Sequence, residues 1–116
     1  MNPEQELKSA LEAFKKSATA CAIAEAKYKD VSSQSKTQLA IAFSKTASVD
    51  DDGTRASANT REMIALWNPE YIKWEEGTQE ANTKFIKWRA QKEIDNMRWE
   101  TARSLISLEK SKINMI

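Results

Sequence analysis

Histidine is absent from this chain of 116 residues, cysteine occurs once, and glycine and proline occur twice each. Each shortage excludes something. Without histidine there is no Ser-His-Asp arrangement, and with a single thiol there is no zinc site of the Cys and His kind. Cys21 stands alone in an alanine-rich stretch and has no internal partner for a disulfide. With only Gly53, Gly77, Pro3 and Pro69 as strong breakers, the many tight turns of a β architecture are not available. Long apolar runs are missing as well. The longest nearly uncharged stretch, residues 17–24, is far short of a membrane span and lacks the flanks of a signal peptide, so no membrane partner and a cytoplasmic location are expected. Eighteen basic against seventeen acidic side chains leave a net charge of +1, so no global field recruits a polyanion.

Catalytic signatures are lacking too. The sequence has no G-x-x-x-x-G-K and no G-x-S-x-G, and neither glycine sits in a nucleotide-binding turn. Glu75 with Glu76, or Glu70 with Glu80, can be paired on paper as acid and base, yet acidic residues on an exposed helix are ordinarily solvated. The expectation is a protein that is not an enzyme and holds neither cofactor nor metal.

What is present speaks for helix. Alanine fills sixteen positions, and 30% of residues are charged against 41% hydrophobic, the balance of a folded all-α chain of one domain. Asn2-Pro3-Glu4 is a cap, a proline at the first helical position and an acidic first turn. The stripe Leu7, Leu11, Phe14, Ala18, Cys21 and Tyr28 continues that helix in steps of three and four. Ser, Gln, Lys and Thr dominate between Val31 and Gln38, so the helix of residues 1–46 is expected to weaken or kink there. Residues 47–59 form an acidic connector. Its Asp50-Asp51-Asp52-Gly53 lacks the alternating ligands and distal glutamate of a calcium loop.

Residues 60–116 are expected to supply the carboxy-terminal helices, with a new start or kink at Asn68-Pro69-Glu70. With Ile64 as heptad position a, Tyr71, Thr78, Phe85, Lys92, Trp99, Ile106 and Ile113 follow at a. Trp67, Trp74, Ala81, Trp88, Asp95, Ala102 and Glu109 then fall at d, so all four tryptophans lie on one seam. A second stripe, Ile86, Ala90, Ile94, Met97, Leu105 and Leu108, runs beside it. A helix from Pro69 to Ile113 is roughly 68 Å long at 1.5 Å per residue, against a radius of gyration of roughly 13 Å for a compact chain of this size. Either Gly77 or the Lys92 and Asp95 turn bends it, or other copies cover its apolar faces. Long amphipathic helices in a hairpin or bundle, oligomeric through the tryptophan-bearing helix, are the expected architecture. Trp67, Trp74, Phe85, Trp88, Trp99, Leu105 and Ile106 are the candidate interface.

Charge is segregated although its sum is small: residues 1–49 carry +2, residues 50–80 carry −5 and residues 81–116 carry +4. In the basic tail Lys84, Lys87, Arg89 and Lys92 are interleaved with Phe85, Ile86 and Trp88, the mixture with which single-strand binders contact phosphates and stack bases. A packed core explains the aromatics better, because packing alone accounts for their heptad spacing, and a solvated helix face is the alternative for the cations. Lys36 and Lys45, among serines and threonines in a stretch without acidic residues, are a second basic candidate.

The order of these parts resembles a known family. It consists of an alanine-containing helix, then Lys36-Thr37-Gln38-Leu39-Ala40-Ile41-Ala42 and the acidic glycine-containing loop. Glu62-Met63-Ile64-Ala65-Leu66-Trp67, Ile72-Lys73 and a basic, isoleucine-rich tail follow. In order and pattern, over about residues 18–110, the chain resembles the UvsY-type recombination mediators of tailed phages. The resemblance implies a cytoplasmic protein of the infected host cell that binds single-stranded DNA. It also implies contact with a recombinase and a single-strand binding protein, the first being loaded in place of the second. By position it puts DNA contact on Lys36 and Lys45, and assembly into a homo-oligomer on Phe85, Trp88, Trp99, Leu105 and Ile106. Where the family has basic residues and tyrosines, this chain has Leu39, Ile41 and Phe43, with Arg55 and Arg61 beyond the loop as further cations. The competing expectation is a non-enzymatic helical module that binds a protein, such as an inhibitor or an assembly scaffold.

Overall fold

A computed structural model of the chain describes residues 2–46 and 58–114, and all its regular structure there is α-helix. Four helices follow one another: α1 (Pro3–Ser32), α2 (Ser35–Ser44), α3 (Ala58–Leu66) and α4 (Pro69–Asn114). The acidic connector, with Asp50–Asp52 and Arg55, lies outside the described residues except at its last two positions, which already belong to α3.

The punctuation read from the sequence sets the boundaries. Gln5 N–H donates to Asn2 Oδ1 at 2.8 Å, and Asn2 N–H reaches back to Gln5 Oε1 at 3.5 Å, a reciprocal cap at the start of α1. Asn68 repeats the device for α4, accepting from the N–H groups of Glu70 at 2.9 Å and Tyr71 at 3.2 Å. Between α1 and α2 the chain turns at Ser33 and Gln34. The hydroxyls of Ser32 and Ser33 donate to the carbonyls of Lys29 and Asp30, competing with the backbone ladder where the sequence was expected to weaken. Farther on, α4 continues as one helix through Gly77, Lys92 and Asp95, the positions at which a bend was the alternative to assembly.

Two compact units are built from these helices. In the first, residues 1–26 and 83–116, α1 meets the distal part of α4. Phe14 stacks on Trp99 with ring centroids 5.7 Å apart and planes 8° from parallel. Arg98 donates to Glu6 at 2.7 Å and to Ser9 Oγ at 3.2 Å, and the Arg103 guanidinium lies 4.9 Å over the Trp99 ring. Ala10, Ser17 and Cys21 of α1, with Asp95 and Ala102 of α4, are buried. Small side chains there let helix backbones come close, while the half-buried aromatics cover the flanks.

The second unit, residues 27–82, contains α2, α3 and the ends of the longer helices. Here α2 packs on α3. Arg61 of α3 donates to Thr46 Oγ1 at 3.0 Å and to the Phe43 carbonyl at 3.5 Å, with its guanidinium 4.2 Å over the Phe43 ring. Lys45 pairs with Glu70. Ala42, Ala65 and Ala81 are the buried positions described in this unit, again the smallest side chain at the closest approaches.

Candidate interaction surfaces

The described basic residues singled out in the sequence fall in both units. In the second unit Arg61 is committed to Phe43 and Thr46, and Lys45 to Glu70, whose carboxyl is held below the usual range by the hydrogen bond and charge of that lysine. Lys36 is exposed and edges a shallow hollow of about 380 Å³ lined by Leu39, Ala40, Phe43 and Glu62. Arg55 is outside the described residues. In the first unit Lys84, Lys87 and Arg89 are exposed on α4, with Arg89 turned 5.3 Å over the Phe85 ring. At about 100° per residue Lys84 and Lys87, three positions apart, share one side of the helix, and Arg89 points away from both. Within the first unit these exposed cations suit isolated phosphate contacts and not a continuous groove.

The candidate interface residues separate into two groups. Trp74, Phe85, Trp88, Trp99 and Ile106 are half-buried within the chain itself, whereas Trp67 and Leu105 are exposed, at 77% and 51%. Trp67 leaves the seam because α3 ends just before Asn68-Pro69, and a proline cannot carry the register from one helix into the next. From Tyr71 to Ile106 every seam position is buried or half-buried, down to Lys92 and Asp95. Asp95, 8% exposed, accepts from Gln91 Nε2 at 3.1 Å, so its carboxylate is solvated by a neighbour on its own helix.

The second stripe is the outward one. Ile86, Ile94, Met97, Leu105 and Leu108 are 47%, 59%, 66%, 51% and 52% exposed, and Ala90 is exposed among them. All belong to the first unit, and they follow one face of α4 opposite the seam. Both stripes were legible as patterns. Which of them faces inward was not, because that depends on where α1 lays its own stripe of Leu7, Leu11 and Phe14, each half-buried here.

Other ligand classes find little. Among the described residues no group of three His, Cys, Asp or Glu side chains is placed to hold a metal ion, and no helix is long and apolar enough to cross a membrane. Cys21 is buried and unpaired. No family model matches the chain, and neither curated proteins nor solved structures give a match.

Proposed function

We propose that this chain is a non-enzymatic helical interaction protein, and that the outward stripe of α4 is the surface with which it engages another protein. One observation carries the reading: a row of large apolar side chains, each about half exposed or more, along a helix whose opposite face is already covered. An apolar face of that extent on a soluble helix costs solvation free energy until it is covered, and such faces commonly dock a partner helix or groove. Site-specific photo-crosslinking tests it. A benzophenone amino acid replacing Met97, but not one replacing exposed Lys15 on α1, is expected to give protein adducts in the cells that express the chain. Absence of adducts at position 97 overturns the reading.

A second reading follows from the resemblance to phage recombination mediators. In it the oligomer binds single-stranded DNA in the cytoplasm of the host cell and helps a recombinase replace the single-strand binding protein. Exposed Lys36, Lys84, Lys87 and Arg89 support it, as weak contacts repeated in several subunits add up along a flexible strand. Anisotropy of labelled oligothymidylate at low and moderate salt is the test. Binding that weakens steeply with salt, and weakens further in the K84A/K87A/R89A variant, supports this function, and no binding at low salt removes it.

A further inference from the structure

We infer that the occupant of the outward stripe is the same stripe of a second copy, the two α4 helices lying parallel and in register. The inference rests on the reading of that stripe as an interaction surface and names the partner. Its positions are spaced four, four and three: Ile86, Ala90 and Ile94, then Met97, a threonine at position 101 and Leu105, then Leu108. That is an eleven-residue repeat, which holds a stripe on one face of a nearly straight helix and meshes with an identical repeat beside it. The row from 86 to 108 extends about 33 Å at 1.5 Å per residue. It is therefore long enough for about six turns of continuous side-by-side packing.

Charge chooses the partner and its direction. At about 100° per residue, Lys87 lies on one flank of the stripe, about 50° from its centre line, and Glu93 and Glu100 lie on the other, about 70° to 90° from it. Arg98, on the Lys87 side, is committed to Glu6 and Ser9 of α1, and Arg89 lies behind the glutamates, about 110° from the centre line and turned over the Phe85 ring. Lys87, Glu93 and Glu100 are exposed, and Glu109 joins the Lys87 flank only beyond the last stripe residue. When two identical helices pair in parallel, the left flank of each faces the right flank of the other, so Lys87 meets glutamate. In an antiparallel pair equal flanks meet, placing Glu93 near Glu100 of the second copy. The flanks are thus complementary to a parallel copy and repel an antiparallel one. Lys87 and Glu93 are six positions apart on different sides of the helix, so they do not pair within one chain.

The test uses the full chain. Sedimentation equilibrium is expected to give a mass of two chains, or an even multiple of it, at tens of micromolar. The I94E/L105E variant is expected to sediment as a single chain with unchanged helical circular dichroism, both positions being exposed. K87E is expected to weaken pairing about tenfold, and K87E/E93K to restore it, which a loss of folding does not do. Cysteine introduced at position 90 or at position 101, in a C21A background, is expected to give rapid disulfide dimers at both sites. An antiparallel pair brings like residues together at one level only, so crosslinking at neither site, or at one of the two, overturns the parallel register. A single chain at every concentration overturns self-pairing while leaving adducts at position 97 to decide whether the stripe binds a different protein. Dimers that survive I94E/L105E overturn pairing through the stripe, and adducts at position 97 again decide whether it binds a different protein.

Discussion

Arg61 shows how one side chain does several jobs in a thin core. Its guanidinium bonds Thr46 and the Phe43 carbonyl and covers the Phe43 ring, so a single residue of α3 satisfies the end of α2 and hides its largest apolar group. A planar fork with donors on several edges can do this, and a lysine ammonium cannot. The same residue was readable in the sequence only as a candidate phosphate contact, because nothing local distinguishes a cation that will stack on its neighbour from one that will face solvent. Among the described carboxylates, two glutamates are held below their usual range. Glu6 is held below its usual range by the hydrogen bond from Arg98, and Glu70 by the one from Lys45. A carboxyl whose folded pKa is depressed adds stability above its unfolded value, and that stability is lost as pH falls through the folded value. The urea midpoint of the native chain is therefore expected to fall between about pH 5 and about pH 3. The E6Q/E70Q variant is expected to start lower at neutral pH and to change less over the same interval. Equal slopes for the two proteins would show that these pairs are too well solvated to matter.

At the scale of the elements, the sequence determined ends better than faces. Asn2-Pro3 and Asn68-Pro69 announced two helix starts because a cap and a proline act within four residues, where tertiary context has little to override. The break at Ser33 and Gln34 was legible for the same reason. Burial was not local. The tryptophan seam and the Ile86 to Leu108 stripe have equally good periods, and only the packing of α1, with Phe14 on Trp99, decides which one is covered. Gly77 was a reasonable place to expect a bend, yet α4 passes through it unbroken, and a Cβ placed there meets nothing within 4 Å. An alanine at that position keeps the helical backbone and removes freedom from the unfolded chain. G77A is accordingly expected to raise stability by about 0.5–1 kcal/mol, read as a higher urea midpoint with an unchanged slope. A lower midpoint would mean that the glycine serves a bend or a contact made outside the single chain.

For the whole molecule, stability and assembly are linked. The buried positions of both units are mainly alanine, with serine, cysteine and one aspartate, and such side chains contribute little transfer free energy compared with leucine or phenylalanine. Several of the larger apolar residues instead stand half exposed on α4. In the proposed pair, covering those residues adds to the stability of each chain, so folding and pairing share one free-energy balance. The melting temperature then depends on concentration. In a folded pair that melts to separate unfolded chains, each tenfold rise in protein favours the pair by about 1.4 kcal/mol, an increase of a few degrees in Tm for chains of this size. Thermal scans over two decades of concentration are expected to show that rise for the native chain. The I94E/L105E variant is expected to melt lower, at one temperature throughout. A native chain whose Tm stays fixed while its sedimentation mass is that of a pair would mean that the copies part before either unfolds. The stripe would then serve a reversible contact outside the cooperative unit, and the two units would owe their stability to the Phe14–Trp99 stack, the Arg61 cluster and the close alanine contacts alone.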